Sequence, residues 1–362
     1  MDVLEALTFC LERGIAFYAY RLPGEDKLCF GAQVDGTVGC WENVKDLEGL
    51  DGFVAVPFRE DEGVKPLFVR GDVVFEGMTE DGEMLARLQC AKSQKVEYLK
   101  PMEGVNREEY LKQAGRMIDA LQQKEARKAV LARGIVVETE AFRWASQWFE
   151  ALALCYPDAF VFVVSVPSKM TWMGATPEIL LKQGDQGVET MSLAGTRKVG
   201  SAGEWGDKEQ EEQRIVTEYI TDLLQKVGEW NVEGPFTKQA GGVEHLCTVF
   251  KKNESLSLTE VEQLRRALHP TPAVGGFPLN DALSIIRREE GIHRRYYAGY
   301  IGPWYRDGSF QWFVNLRSME LFRDAVRLYV GGGITVASDV EKEWEETVMK
   351  SRTLKDVIET GV

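Results

Sequence analysis

Histidine, cysteine and basic residues are scarce in this sequence, and each shortage excludes a class of function. The three histidines, His245, His269 and His293, form neither an HExxH pattern nor a spacing typical of a catalytic triad. Zinc hydrolysis and acyl transfer are therefore not expected. A lone histidine is more often a packed or capping residue, which is the interpretation we favour for His293. The 6 cysteines include no CxxC pair and do not make a disulfide framework in a chain of 362 residues.

The charge balance is acidic. The chain has 43 Lys and Arg against 57 Asp and Glu, a net charge of −14. A nucleic-acid-binding protein needs a basic face, so no nucleic-acid partner is expected, and an anionic ligand would need a locally positive pocket. No uncharged apolar run approaches the roughly 18 residues of a transmembrane helix, and acids stand near the start where a secretory signal carries Lys or Arg. We therefore expect a cytoplasmic protein with no membrane partner.

Hydrophobic periodicity predicts runs of β-hairpins separated by isolated helices. The helix pattern covers residues 4–11, 106–121, 208–227, 257–268 and 340–358. The strand pattern covers residues 15–20, 67–75, 129–137, 160–166, 170–173, 179–182, 188–193, 296–305, 310–316 and 325–330. Asn106 and Glu109 predict a capping box at the second helix. Hairpins without regular βαβ alternation are typical of an α+β fold with large antiparallel sheets.

Two helices carry acidic residues close to their apolar faces. Glu209 and Glu212 are three residues apart in the first, and Glu343, Glu346 and Lys350 share one face of the last. Magnesium takes a few carboxylates and keeps water or substrate as its other ligands. The two faces are therefore a candidate Mg²⁺ site, and a solvated helix surface is the alternative for each pair.

Isolated cations and glycines occur at the ends of predicted strands. Lys128 precedes one strand, and Arg317 ends another. Arg317, together with Lys350 of the last helix, would be able to bind a carboxylate. Solvated strand ends are the alternative. The glycine segments at 194–196 and 331–333 fit neither GxGxxG nor GxxxxGK[ST], so nucleotide-binding fingerprints are absent. Glycine in a strand lets the backbone approach a ligand, or forms a bulge without one.

Six short segments, taken together in their order, are far more specific than any one of them. They are KAVLAR at 128–133, GATPEILL at 174–181, LAGT at 193–196, HPTPAVGGFP at 269–278, YAG at 297–299 and EWEET at 343–347. This series resembles the chorismate-utilising enzyme family, over roughly residues 105–360, and its isochorismate-forming members most closely.

The resemblance implies a single large α+β domain with two stacked antiparallel sheets, outer helices and an active site in the cleft between the halves. We expect residues 1–100 to be the N-terminal part of this unit and residues 101–362 to form the chorismate-binding catalytic region. It also implies Mg²⁺ held by Glu212 and Glu346, with Glu209 and Glu343 as nearby or water-mediated partners. The family commonly has His where this chain has Gln213, so Glu211 or Glu209 is the alternative to Glu212.

The resemblance further implies a substrate site and an acid–base pair. The family's base matches Lys128 and its acid matches Glu178. Isochorismate forms when water adds at C2 of chorismate and the C4 hydroxyl leaves, which requires Lys128 neutral and Glu178 protonated near neutral pH. The expected substrate-binding residues are Ala194, Gly195, Thr196, His269, Ala273, Val274, Tyr297, Arg317, Gly331, Gly333 and Lys350.

Several members of the family use the same substrate differently. Aminodeoxychorismate synthases commonly carry a nucleophilic Lys where this chain has Ala194. Ammonia-using members carry Gly-Thr and a later Ala-Pro-Lys where this chain has residues 272–278, so the water-using branch is favoured. Salicylate synthase, the anthranilate synthase large subunit and an inactive chorismate-binding regulatory protein are the alternatives. We expect a monomer without a glutaminase subunit and a product destined for menaquinone, with a catechol siderophore as the other destination.

Overall fold

The computed structural model describes residues 1–60, 63–94, 100–201 and 203–360. Within these ranges the helices are α1 (Val3–Arg13), α2 (Gly82–Gln89), α3 (Arg107–Gln122), α4 (Ala141–Cys155), α5 (Asp207–Leu224), α6 (Leu258–Leu268), α7 (Leu279–Glu289) and α8 (Val340–Thr360). The strands are β1 (Ala16–Arg21), β2 (Cys29–Gln33), β3 (Gly39–Cys40), β4 (Gly52–Val56), β5 (Leu67–Arg70), β6 (Val73–Glu76), β7 (Lys128–Glu138), β8 (Phe160–Val166), β9 (Met170–Thr176), β10 (Ile179–Gly184), β11 (Gly187–Lys198), β12 (Asn231–Ala240), β13 (Val243–Lys252), β14 (Gly276–Phe277), β15 (Tyr300–Trp304), β16 (Phe310–Val314), β17 (Ser318–Leu321) and β18 (Ala325–Ile334).

Over the described residues the strands form two antiparallel sheets of nine strands each. The first has the order β14-β7-β18-β17-β9-β8-β1-β2-β6, and the second has the order β12-β13-β11-β10-β16-β15-β4-β5-β3. The sheets stack face to face: Phe160 of β8 lies on Phe313 of β16 with ring centroids 4.1 Å apart. Burying an aromatic side chain of this size contributes roughly 1.5–3 kcal/mol. The core between the sheets therefore stabilises their stacking.

A second apolar cluster covers the outer face of the first sheet. Alternate strand residues such as Phe17 and Val161 point away from the inter-sheet core and pack against α1 and α4. Leu354 and Val357 from the C-terminal half of α8 join the same cluster. Because α8 is held there, its N-terminal half lies over β18, where it presents acidic residues to the edge of the inter-sheet cleft.

The chain passes between the two sheets at points that carry functional side chains. Glu178 lies in the connection from β9 of the first sheet to β10 of the second. Arg317 lies in the return connection from β16 to β17, with a left-handed φ of 47°. A crossover turns the chain through the space between the sheets, so these residues point into the cleft instead of alternating along a strand.

The predicted fold class is confirmed, and most predicted elements are present within a few residues of their expected ends. Strands from the first hundred residues enter both sheets: β1, β2 and β6 in the first, and β3, β4 and β5 in the second. The Gly71-Asp72 turn divides the predicted strand at 67–75 and moves the chain from one sheet to the other. The periodicity did not predict α4, α7, β17 or the β12–β13 hairpin.

Several predicted boundaries are wrong, including the end of β11, which continues to Lys198 instead of residue 193. Residues 296–299 are turns, because Arg295 and Ala298 take positive φ values of 52° and 59°, so that strand begins only at Tyr300. The next strand ends at Val314 instead of residue 316, and the last one continues to Ile334. The capping box at α3 is half formed. Asn106 Oδ1 accepts from the Glu109 N–H, but the Glu109 carboxylate accepts from Gln113.

Candidate active site

A cavity lies between the two sheets, lined by charged, polar and glycine residues from both of them. Most residues that the sequence singled out line it, although they come from distant parts of the chain. The lining includes Lys128, Glu178, Ala194, Gly195, Thr196, Glu212, Ala273, Val274, Tyr297, Arg317, Gly331, Gly333, Glu346 and Lys350. His269, Glu209 and Glu343 do not line the cavity.

The proposed acid and base are both fully buried in the cavity wall, and burial moves their pKa values in opposite directions. Burial raises the pKa of Glu178 from 4.5 to about 8, although the nearby lysines oppose part of the rise. Burial lowers the pKa of Lys128, with Glu212 opposing it through an Nζ–Oε2 distance of 3.9 Å. Both shifts favour the uncharged form. A protonated carboxyl and a neutral amine are what an acid–base pair needs at neutral pH.

Arg317 is a buried cation that forms no ion pair with a carboxylate of the described residues. Its Nη2 donates to His245 Nε2 at 3.0 Å and its Nη1 donates to Thr353 Oγ1 at 3.3 Å. His245 Nδ1 lies 2.8 Å from the Gly195 carbonyl oxygen. A carbonyl only accepts, so Nδ1 carries the proton and Nε2 is free to accept from Arg317. Burial and the charge of Arg317 lower the pKa of His245 well below its usual value, which keeps the ring neutral.

His245 is a cavity residue that the sequence analysis did not select. The sequence pattern that would have identified it is the alternation of Val243, His245, Cys247 and Val249 along β13, a strand that was not predicted.

Arg294 is a second cavity residue that the sequence analysis did not select. Its guanidinium donates to the carbonyl oxygens of Val274 and Val130, at 2.8 and 2.7 Å, and so ties two parts of the cavity wall together.

The Gly195-Thr196 segment is a β-bulge. Ala194 pairs with Leu246 and Arg197 pairs with Glu244, so two residues of β11 lie opposite His245 alone. Gly195 has a positive φ of 66°, and a Cβ added there would come within 3.0 Å of Glu209 in α5. A bulge leaves backbone groups outside the ladder. The backbone at this position is therefore turned towards the cavity, as expected for a segment that contacts a ligand.

The three glycines of β18 make room for charged side chains. A Cβ added at Gly333 would come within 2.9 Å of Glu212 Oε2 and 3.0 Å of Lys128 Cε. A Cβ added at Gly331 would come within 3.2 Å of the Tyr297 hydroxyl. The Gly331 carbonyl also accepts a hydrogen bond of 3.0 Å from Lys350 Nζ, which pairs with Glu346 at 2.6 Å. The glycines thus allow Lys128, Glu212 and Lys350 to crowd one strand.

Carboxylates from α5 and α8 meet beside this strand. Lys208 Nζ bridges Glu212 at 3.2 Å and Glu343 at 2.7 Å, and a Cβ at Gly332 would come within 3.4 Å of both Glu343 and Glu346. Burial and the charge of Glu346 raise the pKa of Glu343 to about 7. Its Oε2 is buried without a hydrogen-bond partner. These acids form a cluster of like charges, which the Lys208 ammonium partly neutralises.

The cluster fits Mg²⁺ in its donor chemistry. Within the described part of the chain, no three acidic, histidine or cysteine side chains lie close enough to surround a metal ion as they stand. Magnesium does not need such a cage, because it binds through one or two carboxylates and completes its shell with water and substrate. Glu212 and Glu346 line the cavity and supply oxygen donors, and Glu343 adds the unpartnered oxygen behind them.

The orientation of α5 decides between the alternative glutamates. Glu211 faces outwards, where it pairs with Arg127 at 2.8 Å and with Arg214 at 2.7 Å, while Glu212 faces the cavity. Gln213, at the position where the family commonly has His, is buried and donates to Ser192 and Thr248. Gln213 therefore anchors α5 to the second sheet, and the helix keeps Glu212 on the cavity side.

Two of the histidines lie away from the cavity. His269 Nε2 contacts the Pro57 carbonyl oxygen at 2.9 Å, and its ring packs edge-on against Tyr300. Burial lowers the pKa of His269 to about 4, so it is a neutral packed side chain. The structure does not place His269 on the cavity, so its expected contact with substrate stays a prediction. His293 is exposed, so of the two roles suggested by the sequence, packing and capping, packing is excluded and capping stays a prediction.

A model of the family described as "Chorismate binding enzyme" matches residues 72–359. The chain belongs to this family. The match begins about thirty residues before the region where the sequence motifs resemble the family, so it includes β6 and α2. The roles that the resemblance assigns to Lys128, Glu178 and the acidic residues stay predictions. None of the helices in the described residues is both long and apolar enough to span a membrane.

Proteins that are named isochorismate synthases are among the relatives of this chain. It is 30% identical over 242 residues to isochorismate synthase EntC of Escherichia coli (strain K12), a match that covers 64% of this chain and 62% of EntC. A solved structure of a putative 2,3-dihydroxybenzoate-specific isochorismate synthase, DhbC, from Bacillus anthracis aligns with a TM-score of 0.78 and 22% identity, covering 98% of this chain and 99% of that chain. The menaquinone-specific isochorismate synthase MenF from Escherichia coli aligns with a TM-score of 0.74 and 21% identity, covering 98% and 92%. At these identities the two structures show a shared fold.

Proposed function

We propose that this chain is a Mg²⁺-dependent isochorismate synthase, with Lys128 as the general base and Glu178 as the general acid. The observation that carries the proposal is the pair of opposed, buried ionisable groups in one cavity. Glu178 has its pKa raised to about 8, and the pKa of Lys128 is lowered. Water addition with loss of a hydroxyl requires one proton to be taken and one to be given, and the two pKa shifts are in the directions that favour both steps.

The proton balance of the reaction follows from these two roles. The oxygen of water bonds to C2 of chorismate while Lys128 Nζ takes one of its protons. The two ring double bonds shift, the bond between C4 and its hydroxyl oxygen breaks, and Glu178 gives that oxygen a proton so that it leaves as water. Because the reaction only exchanges hydroxyl positions, the same groups run it in reverse with their roles exchanged.

The cations of the cavity supply the positive charge that an acidic protein needs to bind chorismate, which carries two carboxylates. Arg317 is buried with only neutral hydrogen-bond partners among the described side chains, so a substrate carboxylate would compensate its charge. Lys350 also lines the cavity, and its ammonium is already shared between Glu346 and the Gly331 carbonyl. Mg²⁺, when bound, would add positive charge against a substrate carboxylate and the developing negative charge of the reaction. Glu212 and Glu346 would hold it.

Product analysis tests the activity and separates it from the alternatives within the family. The purified chain is incubated with chorismate and Mg²⁺, with and without ammonia, and the products are resolved by chromatography. We expect isochorismate in both cases. Salicylate would indicate an added elimination step, anthranilate the use of ammonia, and the absence of any product a regulatory chorismate-binding protein.

Metal dependence is tested in the same assay. EDTA should abolish turnover and Mg²⁺ should restore it, because Glu212 and Glu346 leave part of the metal's shell for substrate. Glu346→Gln should weaken Mg²⁺ affinity by more than tenfold, measured by the Mg²⁺ concentration at half activity and by calorimetric Mg²⁺ binding without substrate. Full activity in EDTA would contradict the metal assignment.

The destination of the product is a separate proposal. The relatives named above include a menaquinone-specific and a 2,3-dihydroxybenzoate-specific enzyme, and we propose menaquinone. The chain should then restore menaquinone to a bacterial strain that lacks its own isochorismate synthases. We also propose a cytoplasmic monomer without a glutaminase subunit, which light scattering of the purified chain tests for its oligomeric state.

A further inference from the structure

Lys238 is the cation that β12 directs towards the active site. This edge strand is exposed from residue 231 to 237 and at residue 239, whereas Lys238 and Ala240 are half-buried. Lys238 pairs in register with His245 of β13, the histidine that lines the cavity. Residues directly opposite each other in an antiparallel pair project on the same face of the sheet. The Lys238 side chain therefore lies on the cavity side of the sheet.

The ammonium of Lys238 lies next to the general acid. Its Nζ donates to the Pro177 carbonyl oxygen at 3.2 Å and lies 4.0 Å from Met191 Sδ. Pro177 immediately precedes Glu178, whose own carbonyl oxygen accepts from the Val314 N–H at 2.9 Å. The crossover that carries Glu178 is thus held on one side by β16 and on the other by Lys238. The ammonium forms no ion pair with a carboxylate in the described ranges, so its charge is not neutralised there.

We infer that Lys238 is a positioning residue for the general acid, which it holds through the Pro177 carbonyl while its charge favours the anion of Glu178. This inference rests on the proposed function. The titratable groups that interact with Glu178 from other elements are Lys128 of β7, Lys350 of α8, Cys247 of β13 and Tyr297. The same cavity is also lined by His245, Arg317, Glu212 and Glu346. Lys128 and Lys350 also stabilise the anion, and Lys238 is the one of these three lysines outside the cavity lining.

This contact would matter because burial alone makes Glu178 a poor acid. A carboxyl with too high a pKa holds its proton too tightly to give it to the leaving hydroxyl, and the best acid has a pKa near the working pH. Lys238 would limit the rise that burial imposes, without occupying space that the substrate needs. Since a protonated Glu178 is required, its ionisation sets the alkaline limit of activity.

Three variants test the inference. Lys238→Met keeps an apolar side chain on Met191 but removes the charge, Lys238→Arg keeps the charge, and Lys251→Met is the control on an exposed lysine of β13. The rate kcat is measured against pH at saturating chorismate and Mg²⁺. For Lys238→Met we expect the alkaline limb to move up by about 0.3–1 pH unit, a limited shift because water screens part of the charge of a half-buried lysine. We expect kcat below that limb to fall by less than about fivefold.

A second measurement does not depend on turnover. Chains carrying ¹³C-labelled glutamate carboxyls are titrated by NMR, and the Glu178 signal is assigned by its loss in Glu178→Gln. The titration midpoint of Glu178 should rise in Lys238→Met and stay near the wild-type value in Lys238→Arg and Lys251→Met. A wild-type chain that makes no isochorismate would refute the proposed function, yet this titration would still decide the role of Lys238.

Two results would overturn the inference. One is a Lys238→Met chain whose pH profile and Glu178 midpoint match those of Lys251→Met. The other is a Lys238→Arg chain that behaves like Lys238→Met, because packing and not charge would then explain the effect.

Discussion

Replacing Glu178 with Gln should make the protein much less active and more stable at neutral pH. The structure raises the pKa of this carboxyl from 4.5 to about 8 by burying it. At pH 7 a group with a pKa of about 8 is roughly 90% protonated, whereas an ordinary glutamate would be below about 1% protonated. Gln cannot donate this proton as an acid, so kcat should fall by about 10²–10⁴-fold.

The stability gain follows from the same shift. A carboxyl whose pKa is raised by folding contributes stability that is fully present below pH 4.5 and is lost as the pH rises towards 8. The pH rises about 2.5 units above 4.5 to reach 7, and at about 1.4 kcal/mol per unit this sets an upper bound of roughly 3.5 kcal/mol on the stability that is lost. Gln has no proton to lose, so Glu178→Gln avoids this loss.

The assay is thermal unfolding of wild type and Glu178→Gln at pH 4, 7 and 8.5, alongside the kinetics. The variant should gain over wild type as the pH rises and show no such gain at pH 4, where both side chains are uncharged. Glu345→Gln, at an exposed position of α8, is the control and should show no pH-dependent difference. A stability difference for Glu178→Gln that did not change with pH would refute a raised pKa, and an active variant would refute the acid role.

Three further predictions concern the rest of the cavity. Lys128→Ala should reduce kcat by about 10²–10⁴-fold both for the conversion of chorismate to isochorismate and for the reverse reaction, while the equilibrium constant stays the same. A near-normal kcat with a raised KM would show that Lys128 binds the substrate by its charge and is not the base. Arg317→Lys should raise the KM for chorismate by roughly 10–100-fold, because a point charge cannot replace a bidentate fork, and an unchanged KM in steady-state assays would place the carboxylate elsewhere. Gly333→Ala, whose Cβ would meet Glu212 Oε2 at 2.9 Å, should lower kcat by about 10²-fold at little cost in unfolding temperature. The control is Gly184→Ala, which has nothing within 4 Å of the new Cβ and should not change kcat. Equal rates for the two variants would contradict the claim that a Cβ at residue 333 displaces Glu212.

The sequence by itself determined the types of most elements and the identities of most charged cavity residues. A run of β-branched residues predicted β7, the Pro167-Ser168 turn predicted the hairpin that includes β8, and alternation with period two predicted β16. Lys128, Glu178 and Arg317 were identifiable because each stands beside an apolar strand, and Lys128 and Glu178 also lie in segments that resemble the family. Such local patterns involve only a few neighbouring residues, so they can be recognised in the sequence without knowledge of the fold.

Only the tertiary structure decided which of these residues meet and in what form. Glu212 faces the cavity and Glu211 faces solvent because of how α5 is anchored through Gln213. His269 lies outside the cavity, whereas Lys238 is directed towards it by its register with His245. The helix rotation and the strand register are set by contacts between segments far apart in the chain.

The protonation states have the same origin. An isolated glutamate and lysine would both be charged at neutral pH, and burial between two sheets is what moves the pKa values of Glu178 and Lys128 towards neutrality. The sequence supplied the groups, and the removal of water from around them, which only a packed fold achieves, shifts their pKa values in the directions that the proposed acid–base roles need.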